Sequence, residues 1–380
     1  MYNICIIKPN KDAFSETFIE EHIKRLPGNK KVLWGGAFPV YDNEGKFLIK
    51  SKVAMLVYLV QKRIFKQQNI SVRNKALARY LQIEKIDVVL AEYGMVGAMV
   101  TDACSRANVP LVIHYHGADV HHRPTVAKYN KDYHKAFKYA AALITVSGDM
   151  QQELKKLGAP ANKIYLNPYG VNTEKFSVAD VSRSDINFLT VGRFVEKKSP
   201  SSVIKAFKIV ADKFEKAHLY MVGTGALLEA TRELANELNM SDQVTFTRIL
   251  SPDEIQKLMQ QTRCFVQHSV TAADGDMEGT PNTILEAGAS GLAIVSTFHA
   301  GIKEAVIHKK TGFLVPEHDV EKMAAYMIKF AEDVNLAGEM GAAEAAHIRR
   351  HYDINDRIKT LSEILTNAIQ KNQAGNIKTA

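Results

Sequence analysis

Hydrophobic and polar positions alternate in blocks along the whole chain. Short runs of β-branched and other apolar residues are followed by longer stretches with helical periodicity, such as Glu16–Leu26 and Ala98–Ala107. This alternation is typical of doubly wound α/β domains, in which helices connect parallel strands. The strands predicted in the first half are Ile4–Lys8, Lys31–Trp34, Asp87–Ala91, Pro110–His114, Leu143–Val146 and Ile164–Leu166. Those predicted in the second half are Asn187–Val191, Leu219–Val222, Val244–Thr247, Cys264–Gln267, Ala293–Ser296 and Gly312–Val315.

The polar stretch from Ser177 to Asp185 separates the two halves, and 380 residues suit two domains of similar size. We therefore predict one Rossmann-like domain over residues 1–180 and another over residues 181–351. In such domains the ligand loops follow the carboxyl ends of the strands. We expect the ligand loops of the two domains to face a shared cleft.

Composition changes this picture little: 46% hydrophobic and 24% charged residues are ordinary for a globular protein. The longest apolar run, Val53–Val60, is far too short to span a bilayer, and the first strand leaves no room for a secretory signal. Cys5, Cys104 and Cys264 are widely separated and lie in apolar segments. We expect a cytoplasmic protein whose reduced thiols lie in the core.

The charge is distributed unevenly, because the stretch from Gly45 to Gln82 contains nine basic residues and no acidic ones. Apolar residues are interleaved with this basic run, which extends from Lys46 to Arg79. One interpretation is a pair of basic amphipathic helices that bind an anionic membrane surface. The other is a core-packing helix with a solvated basic face. Nucleic acid is not expected as a partner, since aromatic residues are few here and no nucleic-acid motif is present.

The segment from Asp276 to Ala287 combines two carboxylates with a predicted helix start. Thr280 is a suitable N-cap and Pro281 a suitable first helical residue. Glu278 then lies in the preceding loop and Glu286 in the second turn. The N–H groups of a first helical turn form a site for an anion. A ligand that carries both phosphates and hydroxyls, such as a sugar nucleotide, suits this arrangement.

A second cationic element follows the strand Asn187–Val191. Gly192-Arg193 ends the strand, and Lys198 lies five residues after the arginine. Arginine offers a bidentate fork and lysine a point charge, both suited to a diphosphate. Alone, the two would be interpreted as surface ion-pair partners, but the Asp276–Ala287 segment favours phosphate binding.

Three other site types are less well supported. Gly223-Thr224-Gly225 matches only the start of a dinucleotide fingerprint, because position 228 is Leu228. Asp274 and Asp276 could form a metal–diphosphate clamp, but nearby basic residues make one redundant, so we interpret them as loop residues. No nucleophile elbow or Cys–His pair is apparent.

Histidines concentrate near Asp119, at positions 114, 116, 121 and 122. His114 and His116 share a face of a strand, as two metal ligands would. No further ligand at suitable spacing completes a set, so we expect no metal site and no cofactor. A sugar-facing His116 is favoured instead.

Taken together, these motifs resemble the retaining family-four glycosyltransferases of the GT-B architecture. The shared elements, in the family's order and spacing, are Tyr169-Gly170-Val171-Asn172 with Phe176, Gly192-Arg193 with Lys198, Glu278 with Glu286, the segment 291–297 and the segment 310–315. Ser15-Glu16-Thr17-Phe18 is similar to a subgroup of bacterial exopolysaccharide and colanic-acid-type transferases. The paired glycines that many relatives carry after the first strand are absent, and Asn10 to Phe14 intervene before this element.

The resemblance implies a role for each matched position. Arg193 and Lys198, beside Gly192, would hold the donor diphosphate, and Glu286 would accept hydrogen bonds from the ribose. Glu278 and His116, with Asp119 near the histidine, would contact the donor sugar. The remaining implied contacts are Pro281, Asn282 and Thr283 on the phosphates, Arg248, Ile249 and Leu250 near the base, and Ser15 and Glu16 on the acceptor or the donor phosphate. A C-terminal helix over residues 352–380 would pack back on the first domain.

The implied function is metal-independent, retaining transfer of a sugar from a nucleoside diphosphate sugar to a glycan or lipid-linked acceptor of a bacterial surface polysaccharide. A UDP-sugar is favoured as the donor, and a GDP-sugar is also compatible. The protein is expected in the cytoplasm, associated peripherally with the inner face of the plasma membrane. A GT-B hydrolase or epimerase and a non-catalytic membrane-docking protein remain alternatives. The sequence leaves open whether Glu278 is a nucleophile or an electrostatic partner.

Overall fold

The computed structural model describes residues 2–12, 16–64 and 70–379, which divide into two compact units. Unit 1 comprises Met1–Asn167 and Arg357–Ala380, and unit 2 comprises Pro168–Asp356. The division after Asn167 differs from the predicted boundary at residue 180. Backbone hydrogen bonds attach the intervening segment to unit 2, from Val171 N to Tyr352 O (2.8 Å) and from Ile354 N to Val171 O (3.0 Å).

Unit 1 contains a six-stranded parallel sheet in the order β2-β1-β3-β4-β5-β6. Its strands are β1 Asn3–Lys8, β2 Asn29–Trp34, β3 Val88–Glu92, β4 Leu111–His114, β5 Ala142–Thr145 and β6 Ile164–Leu166. Its helices are α1 Thr17–Arg25, α2 Lys52–Arg63, α3 Ser71–Ile83, α4 Gly94–Ala107, α5 Ala118–His121, α6 Arg123–Tyr139 and α7 Gly148–Lys156. The chain reverses its direction of winding between β1 and β3, and ligands of open α/β sheets bind at such a reversal.

Unit 2 contains a second six-stranded parallel sheet in the order β12-β11-β10-β7-β8-β9. Its strands are β7 Asn187–Val191, β8 His218–Val222, β9 Val244–Thr247, β10 Cys264–Val266, β11 Ala293–Thr297 and β12 Gly312–Val315. Its helices are α8 Pro200–Ala211, α9 Leu228–Glu237, α10 Pro252–Met259, α11 Asn282–Ala289, α12 Ile302–Ala305, α13 Val320–Glu332 and α14 Val334–His351. The winding reverses between β7 and β10.

The last helix, α15 Ile354–Thr379, belongs to unit 1 from Arg357 onward. Asn167 Nδ2 donates to the Arg357 carbonyl (3.2 Å), and Asn372 Nδ2 donates to the Asn108 carbonyl (3.1 Å). These contacts join the helix to the body of unit 1.

Both cores are apolar and continuous. Fully buried side chains such as Ile6 and Leu90 fill the sheet of unit 1, and Phe188 and Phe207 pack edge to face between the sheet and α8 of unit 2. The three cysteines are free and buried. In the described part of the chain, every helix is too short or too polar to cross a bilayer.

Candidate donor site and its neighbours

A small pocket opens at the winding reversal of unit 2. It is lined by the end of β7, by Lys198 and Pro200, by Met221 and Val222 of β8, and by Gln267 beyond β10. The strand ends of a parallel sheet share one edge, so the loops that follow them converge there. The predicted elements Gly192-Arg193 and Lys198 therefore lie together at a site suited to a ligand.

Two glycines make this edge compact. A Cβ on Gly223 would lie 1.9 Å from the Gly192 carbonyl oxygen, and one on Gly225 would lie 2.3 Å from that of Phe194. The two loops are also joined by a hydrogen bond from Phe194 N to Thr224 O (2.9 Å). The partial glycine pattern thus lets the β8 loop approach the β7 loop closely.

Arg193 and Lys198 differ in their surroundings. The Arg193 side chain is exposed, and its guanidinium forms no ion pair with any residue that the structure describes. Lys198 Nζ lies 3.3 Å from Glu278 Oε1. Burial lowers the pKa of the Lys198 ammonium, and the opposing effect of Glu278 does not fully offset this. The site thus combines an open guanidinium with a lysine held by an ion pair.

The Glu278 carboxyl is held ionised by its surroundings. Burial alone would raise its pKa, but Lys198 and Lys197 outweigh this and lower the pKa to about 2. The Glu278 backbone N–H also donates to His299 Nε2 (3.1 Å), while His299 Nδ1 lies 2.6 Å from Glu317 Oε1. Because a backbone N–H can only donate, the ring proton of His299 lies on Nδ1 and faces Glu317.

Lys197 fixes the loop that carries Glu278. Its buried Nζ donates to Asp276 Oδ1 (3.1 Å) and to the Met277 carbonyl (3.1 Å). Asp276 N in turn donates to Asp274 Oδ1 (2.9 Å). Asp276 is therefore used by the loop itself, in agreement with its interpretation as a loop residue.

We expect Lys197→Met to lower the free energy of unfolding by about 1.5–3 kcal/mol, the usual range for hydrogen bonds that involve a charged group. The methionine retains most of the volume but removes both hydrogen bonds and leaves Asp276 without its cation. Scanning calorimetry measures the change, with Lys205→Met on the exposed face of α8 as the matched control. Equal melting temperatures for Lys197→Met and wild type would show that the lysine does not hold the loop.

The helix start differs by one residue from the prediction. Pro281 is the N-cap and α11 begins at Asn282, so the expectation of Thr280 as the N-cap is wrong. Thr280 is buried against the turn at Gly301, where a Cβ would lie 2.2 Å from Thr280 Oγ1. Thr280 therefore packs closely against this turn.

Glu286 lies in the second turn of α11, as expected from the sequence. Its side chain is half-buried, and its carboxylate has no hydrogen-bond partner within the described ranges. Burial raises the pKa of this carboxyl to about 7, with Lys175 opposing the shift. A half-buried carboxyl without a partner is a suitable acceptor for ligand hydroxyls. Thr283 Oγ1, one turn earlier, donates to Gln267 Oε1 (3.2 Å).

The loop Arg248–Leu250 follows β9, the edge strand of the sheet. Arg248 and Ile249 are exposed, and β8 separates their strand from β7. A contact between this loop and a base stays a prediction.

In unit 1, His116 belongs to a buried network centred on Glu92. Glu92 Oε2 lies 2.9 Å from His116 Nε2, and Glu92 Oε1 lies 2.8 Å from His22 Nδ1. Burial alone would raise the pKa of Glu92, but the two histidines outweigh it and hold the pKa well below its ordinary value. An ionised carboxylate can only accept, so both facing ring nitrogens carry protons.

Strand register explains why this network forms. Glu92 and His114 are directly paired across β3 and β4, at the edge where the winding reverses. Among the described residues, His22, Glu92 and His114 form the one group of donor atoms close enough to hold a metal ion, within 4.8 Å of one another. The sequence analysis grouped His114 with His116, His121 and His122, and it missed both Glu92 and His22. No local signal pairs residues separated by 70 positions.

Asp119 shapes the backbone around His116. Its carboxylate accepts hydrogen bonds from the N–H groups of Gly94 (2.7 Å), His116 (2.9 Å) and Gly117 (2.9 Å). This positions the turn after β4, while a direct contact between Asp119 and a donor stays a prediction.

Glu16 lies beside the same network, and its Oε1 accepts from Asn10 Nδ2 (2.9 Å) and from the Tyr93 hydroxyl (3.2 Å). The Tyr93 ring contacts that of His116 edge to face, with 4.6 Å between centroids. Ser15 lies outside the described residues.

Comparison with known proteins identifies the family. A model described as "Glycosyl transferases group 1" matches residues 172–347, and one described as "Glycosyltransferase Family 4" matches residues 54–175. The chain belongs to the glycosyltransferases that these two models describe. This confirms the resemblance to glycosyltransferases, and the two matches together span residues 54–347, which include parts of both units.

Individual relatives agree with the assignment. The chain is 29% identical to the amylovoran biosynthesis glycosyltransferase AmsK of Erwinia amylovora, over 73% of this chain and 70% of that protein. It is 28% identical to the putative colanic acid biosynthesis glycosyltransferase WcaL of Escherichia coli K12, over 65% of this chain and 62% of that protein. The match therefore spans about two thirds of each relative's length.

The fold of this glycosyltransferase is shared with a solved structure, that of Anabaena HepE in complex with UDP. The TM-score is 0.78 at 17% identity, and the superposition covers 97% of this chain and all of the HepE chain. At this identity the likeness establishes the fold, and it confirms the predicted arrangement of two parallel α/β sheets.

Proposed function

We propose that this glycosyltransferase moves a sugar from a nucleoside diphosphate donor to a glycan or lipid-linked acceptor in bacterial cell-surface polysaccharide biosynthesis. The main support for this function is the open Arg193 guanidinium beside the Lys198–Glu278 ion pair, at the winding reversal of unit 2. The polysaccharide role is supported by the names of AmsK and WcaL. UDP is favoured as the carrier because HepE binds it in a similar fold, and GDP is the second candidate.

In the proposed mechanism, fixed positive charge replaces a metal ion at the leaving diphosphate. Arg193 forms a bidentate contact, Lys198 adds a point charge, and the first turn of α11 at Pro281, Asn282 and Thr283 offers backbone dipoles. The Asp276 carboxylate already pairs with Lys197, which supports the proposal that catalysis needs no divalent cation.

Glu278 acts in this proposal as an electrostatic partner of the developing positive charge on the donor sugar. Its low pKa keeps it ionised throughout the physiological range. The anomeric configuration of the donor is retained in the product. In unit 1, Glu92 and His22 fix the ring of His116, whose contact with the donor sugar stays a prediction.

A transfer assay with UDP-sugars, GDP-sugars and a bacterial membrane extract tests this function. We expect product only when acceptor is present, an anomeric signal in the proton NMR spectrum that matches the donor, and an unchanged rate in excess EDTA. Free sugar or an epimer formed without acceptor would instead indicate a hydrolase or an epimerase. Complete loss of activity in EDTA would overturn the metal-independent mechanism.

The acceptor is proposed to lie at the inner face of the plasma membrane, where lipid-linked glycans meet the cytoplasmic pool of sugar nucleotides. This part of the proposal is supported by the basic stretch from Lys46 to Arg79.

A further inference from the structure

Helix α2 has two apolar faces, of which one is packed. Tyr58 is buried with Ile49 and Ile70, and Ala54 and Met55 pack against the same small cluster. This face packs α2 against unit 1.

The opposite face is apolar and exposed. Val53, Leu56 and Ile64 are 73%, 64% and 70% exposed, and Val57 is 39% exposed. Together with the half-buried Val60, these positions recur at the spacing of one helical stripe. Single exposed apolar residues are ordinary, but a continuous stripe of them marks an interaction surface.

Basic side chains border this stripe. Lys50, Lys52 and Arg63 are exposed, and none of them forms an ion pair with a residue in the described ranges. No acidic residue occurs between Gly45 and Gln82 to compensate them. An aliphatic stripe between cations is complementary to an anionic lipid surface, where the stripe enters the acyl boundary and the cations meet the headgroups.

We propose that α2 lies in the plane of an anionic membrane and docks unit 1 on it through the stripe Val53, Leu56, Val57, Val60 and Ile64. A second copy of the chain is a poorer occupant, because a symmetric contact would bring two basic borders together. Nucleic acid is poorer still, since the exposed residues are aliphatic and cannot stack on bases. The inference rests on the proposed membrane acceptor and specifies the surface that reaches it.

The test is co-sedimentation of the full chain with phosphatidylcholine vesicles that contain or lack phosphatidylglycerol. We expect binding to the anionic vesicles only, weakened by salt, and about tenfold or more weaker in the double variant Leu56→Ser/Ile64→Ser. Ile83→Ser on α3 is the matched control, because Ile83 is also exposed (61%) but lies outside the stripe.

UDP affinity and oligomeric state are measured in the same variants. Unchanged UDP binding with lost vesicle binding supports the docking surface, and it separates this result from any failure of the donor site. Equal vesicle binding by wild type and the double variant would overturn the proposal. The proposal would also be overturned if the wild type were a dimer, the double variant were a monomer, and neither bound vesicles.

Discussion

Arg193→Ala and Lys198→Ala should each lower the turnover number about 100- to 1,000-fold, the usual cost of removing one preorganised group that stabilises transition-state charge. Both cations lie at the β7 edge, where the departing diphosphate is proposed to bind. Turnover is measured as nucleoside diphosphate release that depends on acceptor. Lys205→Ala is the control, because Lys205 is an exposed lysine of the same unit on α8.

The lysine variant has a second expected effect. Without Lys198, the Glu278 carboxyl loses the largest influence that holds its pKa at about 2. The acidic limb of the rate profile should therefore move to higher pH in Lys198→Ala. Near-normal turnover in both alanine variants would contradict the leaving-group role.

Glu286→Ala should weaken nucleotide binding about 10- to 100-fold, because hydrogen bonds to an ionised group contribute about 1.5–3 kcal/mol. The proposed contact joins the carboxylate to the ribose hydroxyls. With a pKa of about 7, Glu286 is protonated below neutral pH and ionised above it. The ionised form is the stronger acceptor, so affinity should fall as the pH is lowered from about 8 to about 6.

Comparison of wild type with Glu286→Gln isolates the titration of Glu286. The diphosphate of the ligand titrates near the same pH range, but it does so equally with both proteins. We expect the difference in affinity between wild type and Glu286→Gln to disappear at low pH. Glu237→Gln, an exposed site on α9, should behave as wild type. A difference that stays constant with pH would show that Glu286 does not titrate in the site.

The elements that could be predicted from sequence are those whose pattern is local. The strands β6, β7, β9 and β12 agree with the prediction residue for residue, because each is a short run rich in β-branched, aromatic or other apolar residues. The cationic element and the Glu278–Glu286 pair could also be found, since each follows a strand end along the chain.

The features that sequence missed depend on packing between distant segments. Thr280 packs on the turn at Gly301, which is 21 positions away and which no local capping rule includes. Lys197 and Lys198 are adjacent in sequence, yet one fixes a loop and the other faces the pocket. Their roles follow from side-chain direction, which the fold determines.

The most direct test of the donor site is calorimetric titration of the full chain with UDP, GDP and ADP, repeated on Arg193→Ala. We predict that one of the three, with UDP favoured, binds at one site per chain. We further predict that its affinity falls about tenfold or more in the variant, because a charge-assisted bidentate contact is lost. Absence of binding by all three nucleotides, or equal affinity in wild type and variant, would contradict a nucleoside diphosphate site at the end of β7.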